Sequence, residues 1–212
     1  MSEDRLTIID GDCDTAAVAE YEETRREAVR RGLVGGGAIV AASTIPILLR
    51  VGKAFARAEG DAAILEGAIG LELTAVVAYE TAHRSKLLDE PLAAVARLFR
   101  DQEQEHADRL TKALEDLGGK APPSPSPQDV GGLSAVSSQE DILRFAVELE
   151  NMAVIAYIDA HRRLQSPALL KTGTQIMANE GQHLVVLRQA LGASPAASVP
   201  SAFEAGVDPA PS

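Results

Sequence analysis

The sequence predicts an all-α fold: a bundle of four long helices, paired as two antiparallel hairpins and joined by one long crossover. Three observations carry this. An internal repeat comes first. LELTAVVAYETAHR (71–84) returns as LENMAVIAYIDAHR (149–162) at an offset of 78, and EQEHADRLTKAL (103–114) returns as EGQHLVVLRQAL (180–191) at an offset of 77. Repeated segments of this kind, with no strand alternation, are two copies of one helical hairpin. Composition is the second: 46% hydrophobic residues but only 3% aromatics and no Trp leave Ala, Leu, Val and Ile to fill the core, and these run over long stretches rich in good helix formers. The third is connection length. Only a few residues join the helices within each repeat, whereas Gly118 to Ser137 separate one repeat from the other.

Residues 1–58 precede the bundle. The chain is acidic up to Glu27, with arginines clustered at Arg25, Arg26, Arg30 and Arg31, and Leu33 to Leu49 then form seventeen residues without a charge. Small residues follow in an A-x-A pattern at Ala54, Ala56 and Ala58. A basic region, an apolar stretch and an A-x-A site describe an export signal. TRREAV (24–29) resembles a twin-arginine export motif, with Ala28 where a bulky residue is usual. That resemblance implies export of an already folded protein through the cytoplasmic membrane of a bacterium, to the periplasm or cell surface. Two other readings stand beside it. One is an uncleaved membrane anchor, since seventeen apolar residues sit at the lower edge of a bilayer span and the preceding arginines would hold the N-terminus inside. The other is a soluble helix packed on the bundle.

The bundle is expected over residues 59–192. The first helix is predicted over 61–88. The second starts near Pro91, capped by Asp89 or Glu90, and stops near Leu117 before Gly118-Gly119. The third follows Ser138, whose spacing to Asp141 approaches a capping box, and runs to about Leu164. The fourth starts at Pro167 behind Ser166 and stops before Gly192; Pro in the first turn and Gly after the last are the expected punctuation. The linker GGKAPPSPSPQDVGGLSAVS (118–137) can extend to about 60 Å, more than the roughly 40 Å length of the second helix. It can therefore cross the whole bundle. From Ala193 to Ser212 the chain is rich in Pro, Ala and Ser, which predicts a disordered tail.

A net charge of −11 excludes the basic footprint that nucleic acid requires. It suits a protein that handles cations, as it suits any soluble acidic protein. Cys13 is the sole cysteine, so neither an internal disulfide nor a cysteine-rich metal site is available.

The candidate site comes from the repeat. Each copy offers one Glu on its first helix, Glu72 or Glu150, and a Glu-x-x-His on its second, Glu103/His106 or Glu180/His183. Residues i and i+3 share a helix face and can approach one ion together. All six lie 14 to 17 residues from the nearest short turn, about 21–26 Å along the helix axes, so they form one layer. Four carboxylates with two neutral imidazoles carry −4, which balances two divalent ions; without metal the same carboxylates would repel one another in the core. In a further Glu-x-x-His, Glu80/His83, the His lies some 16 Å away, as does His161, and Ile158 replaces its Glu in the second copy. Glu66, Glu105 and Glu148 fall off the shared face or outside the repeat and read as surface residues. Tyr79 and Tyr157 lie two turns from Glu72 and Glu150, either as partners of those ligands or as plain core aromatics. His83, His161, Arg84 and Arg162 suit helix C-termini.

On these residues, over about 61–191, the chain resembles the ferritin-like superfamily of carboxylate-bridged dinuclear metal proteins, and within it the exported bacterial ferritin-like domain proteins. The resemblance implies Glu72 and Glu150 as terminal ligands, Glu103 and Glu180 as bridges, and His106 and His183 as caps of one ion each. Hard carboxylates with imidazole favour two iron ions, or else manganese. The expected reaction is oxidation of Fe(II) by O₂ or peroxide, a ferroxidase-like activity, or catalase-like removal of peroxide by a di-manganese centre. The alternatives are sequestration of iron or manganese without turnover, in a homo-oligomer or shell, and a structural or partner-binding bundle.

Overall fold

The computed structural model describes residues 60–206. Residues 1–59, on which the expected signal or anchor and Cys13 fall, lie outside the described residues, as do residues 207–212. The described chain is all-α: α1 is Asp61–Arg84, α2 Glu90–Asp116, α3 Gln139–His161 and α4 Pro167–Ala190, with one 3₁₀ turn at Leu133–Ala135.

Local chemistry sets the helix ends. The Asp89 carboxylate accepts from the Leu92 N–H at 2.9 Å, with Pro91 in the first turn of α2. Ser138 Oγ accepts from the Asp141 N–H at 3.1 Å, while the Asp141 carboxylate reaches back to the Ser137 N–H at 3.1 Å. This is a capping box displaced by one residue, satisfying two donors that the helix start leaves without partners. α1 stops at Arg84, short of the expected Leu88. Lys86 adopts a left-handed φ of 61°, and Ser85 Oγ both donates to the Ala82 carbonyl at 2.8 Å and accepts from the Leu87 N–H at 3.1 Å. A lysine in that region ends a helix as a glycine would, but nothing in its side chain announces it.

Contacts between hairpins fix the topology. The Asp61 carboxylate accepts from the Gln165 and Ser166 N–H groups at 2.8 and 3.0 Å, which seats the start of α1 at the α3–α4 turn. At the opposite end, the Asp89 N–H donates to Gln139 Oε1 at 2.8 Å, which seats the α1–α2 turn beside the start of α3. α2 therefore finishes at one end of the bundle and α3 begins at the other. The crossover travels the full length, and on the way it buries Val130 and Leu133 in the core.

The core falls into two apolar clusters. One gathers Tyr79, Phe99, Phe145, Leu149, Leu184 and the crossover residues. The other gathers Ile64, Leu65, Ile69, Leu110, Leu114, Tyr157 and Ile176. Between them lies a polar layer. The expectation of disorder from Ala193 needs correction through Gly206. Ser198 is fully buried and accepts from Gln189 Nε2 at 3.0 Å, Glu204 pairs with Arg188 at 2.9 Å, and Gly206 (φ 69°) packs so closely on α3 that a Cβ would lie 2.3 Å from the Asn151 carbonyl. Low hydrophobicity predicts disorder, but a few specific anchors suffice to dock a short segment.

Candidate metal centre

The polar layer consists of the six residues that the repeat brings together. Glu72 comes from α1, Glu103 and His106 from α2, Glu150 from α3, and Glu180 and His183 from α4. The four carboxylates are at most 1% exposed and His183 is 1% exposed; the His106 side chain is 13% exposed. Acids this deep are rare unless paired or bound to a cation.

Their geometry is that of two adjoining positions sharing two carboxylates. Glu103 directs Oε2 to His106 Nδ1 and Oε1 to His183 Nδ1, each at 3.2 Å. Glu180 does the same with the opposite oxygens: Oε1 lies 3.2 Å from His106 Nδ1 and Oε2 3.1 Å from His183 Nδ1. Glu72 approaches His106 alone, at 3.4 Å, and Glu150 approaches His183 alone, at 3.3 Å. Two quartets result, Glu72/Glu103/Glu180/His106 and Glu103/Glu150/Glu180/His183, with the ligand atoms of each within 4.8 Å of one another.

The donor set fits a pair of cations. Among the described residues, six buried side-chain polar atoms have no hydrogen-bond partner, and four belong to this layer: Glu103 Oε1, both Glu180 oxygens and His183 Nδ1. Three carboxylate oxygens surround His183 Nδ1 at 3.1–3.3 Å, but none makes a proper hydrogen bond to it. Each orphaned atom costs about 1–3 kcal/mol, a penalty that an ion among them removes.

Electrostatics describe the layer without metal. Burial, followed by repulsion from Glu180 and Glu150, holds Glu103 well above the usual carboxylate range. Burial and Glu180 push Glu150 up to about 7. Burial would also raise Glu180, but the two imidazoles beside it pull it down to about 2. Burial works against charged imidazoles, yet the surrounding carboxylates push His106 and His183 up to about 12. Below that pH both rings are therefore held charged, whereas a metal requires a neutral ring nitrogen. Filling both positions at neutral pH should release at least two protons, and affinity should rise by about tenfold per pH unit for each proton displaced. Calorimetry of Mn(II) binding in buffers of different ionisation enthalpy reads this directly. Binding without proton release would contradict it.

The tyrosines have partners. Tyr79 on α1 donates to Glu150 Oε1 on α3, and Tyr157 on α3 donates to Glu72 Oε1 on α1. Each thus holds the first-helix glutamate of the other repeat. Burial and the nearby carboxylates raise both phenols well above their usual range, so they remain donors. Glu80 belongs to a different network, paired with Arg84 and, at 3.7 Å, with Arg100. His83 Nδ1 donates to the Ala93 carbonyl at 3.1 Å, and His161 Nε2 meets Thr174 Oγ1 at 2.8 Å, so both serve the helix ends. Glu66 and Glu105 are exposed and Glu148 is half-buried. Sequence reasoning missed Gln102 and Phe99. His183 Nε2–H donates to Gln102 Oε1 at 2.9 Å, and the Phe99 ring stacks on the imidazole with centroids 3.9 Å apart. Each sits within four residues of Glu103 on α2, which was the available signal.

Four helices with one end-to-end crossover, closed around a layer of four carboxylates and two imidazoles that could hold metal, define a ferritin-like bundle. The model of the ferritin-like domain family matches residues 60–193, and the chain belongs to that family. No curated protein matches the chain.

Proposed function

We propose that Glu72, Glu103, His106, Glu150, Glu180 and His183 bind two divalent ions, iron in preference to manganese, and that the protein oxidises Fe(II) with O₂ or peroxide in the bacterial cell envelope. The observation that carries this reading is the division of Glu103 and Glu180, each with one oxygen toward either imidazole. Carboxylates shared in that way hold two ions close together. Each quartet supplies three carboxylates and one imidazole, a hard donor set that suits iron or manganese. Four protein ligands leave coordination room for an exogenous oxygen ligand. When bound, a pair of Fe(II) ions supplies the two electrons that reduce O₂ to peroxide. The protein's part is to hold the pair between the flanking apolar clusters and to fix the carboxylates of Glu150 and Glu72 through Tyr79 and Tyr157. The envelope location is supported by the basic, apolar and A-x-A succession in residues 25–58.

Anaerobic Fe(II) loading followed by exposure to air tests the reading. We expect about two Fe(II) bound per chain and their oxidation faster than in buffer. Two ions bound but no faster oxidation would make this a sequestering protein. No bound metal would leave a structural bundle.

A further inference from the structure

The repeat departs at two positions just before the Glu-x-x-His pairs. At its offset of 77, Gln102 corresponds to Asn179 and Phe99 to Ile176. The structure turns these two differences into unequal surroundings for the histidines. His183 is 1% exposed, its Nε2 is bound by Gln102 at 2.9 Å, and its face is covered by Phe99. His106 is 13% exposed, and among the described residues nothing bonds to its Nε2. Asn179, where the repeat would place the partner of that nitrogen, is one methylene shorter than Gln102, and Ile176 offers no ring to stack.

An acceptor on the far nitrogen of a ligating histidine fixes the tautomer, aims the near nitrogen at the ion and raises its basicity. A covered ring also shields the ion from exchange with water. We infer that the two metal positions are unequal, the Glu150/His183 position being tight and closed and the Glu72/His106 position weaker, open to solvent and exchangeable, with Gln102 the positioning residue that separates them. This rests on the dinuclear reading above. In that arrangement the open position is where a divalent ion enters and leaves, while the closed one keeps its ion between cycles.

The test is equilibrium dialysis of the full metal-free chain against Mn(II). The expected result is two binding steps at least tenfold apart. Glu150→Gln should remove the tighter step and Glu72→Gln the weaker. Gln102→Leu should weaken the tighter step by about 10–100-fold, the usual consequence of losing such a partner, while Gln102→Glu, which keeps an acceptor, should retain it. Equal steps would overturn the inference while leaving two bound ions intact. So would loss of the tighter step in Glu72→Gln, or an unchanged tighter step in Gln102→Leu. Should Gln102→Leu not fold, the Glu72 and Glu150 variants decide the assignment by themselves. If the parent chain binds no Mn(II), the dinuclear reading fails and the inference falls with it.

Discussion

A chain carrying Glu103→Gln and Glu180→Gln together is expected to lose both metal ions, with affinity at each position reduced by more than the roughly hundredfold that an outer partner commands. Both residues belong to both quartets, so no other pair of substitutions removes as much from the two positions at once. The amides keep the volume and the helical register but carry no charge, so two divalent ions would face only Glu72 and Glu150. The fold should survive, because the two apolar clusters lie on either side of the layer and do not include these residues. Metal analysis after loading, with circular dichroism as the folding control, gives the readout. Retention of two ions per chain by a folded variant would sink the ligand assignment.

Metal loading should raise the melting temperature by on the order of 15 °C, and a chelator should reverse the rise. Without metal, the layer keeps four buried polar atoms that have no hydrogen-bond partner, and burial and its neighbours hold Glu103 well above the usual carboxylate range. An ion that binds only the folded state stabilises it by about 2.7 kcal/mol at a hundredfold excess over Kd. Two ions thus contribute about 5 kcal/mol, and in a chain of this size each kcal/mol is worth a few degrees. Differential scanning calorimetry of the metal-free and loaded chains measures it. The double glutamine variant should show almost none of the shift. An unchanged midpoint in the parent chain would mean that the layer does not hold the ions tightly in the native state.

Most of the bundle was legible because its signals are local. Helix-forming runs marked the four helices, proline starts and glycine stops bounded α2 and α4, and the repeat paired them. The six-residue layer was legible because i, i+3 spacing and depth from a turn are both countable along the chain. Other features depend on tertiary contact and leave little trace in sequence. The left-handed Lys86 shortens α1, yet lysine has no general preference for that conformation. The docked tail relies on Ser198, Glu204 and Gly206 finding α3 and α4. Whether Tyr79 and Tyr157 touch Glu150 and Glu72 was open, because the answer depends on how one hairpin is rotated against the other. Gln102 looks like any polar residue of an amphipathic helix until His183 is seen beside it.

The exchange of tyrosines has a meaning for ancestry. Tyr79 of the first copy holds Glu150 of the second, and Tyr157 of the second holds Glu72 of the first. When residue i meets j and j meets i, the interface is isologous, the kind that a two-fold axis generates between identical chains. A single hairpin with one Glu, one Tyr and one Glu-x-x-His could complete both quartets simply by pairing with itself. In such a homodimer every substitution appears twice, and the two positions must remain alike. Fusion through the crossover lifts that obligation, because each half can then mutate independently. The Gln/Asn and Phe/Ile differences around the histidines are changes that only a fused chain can hold on one side.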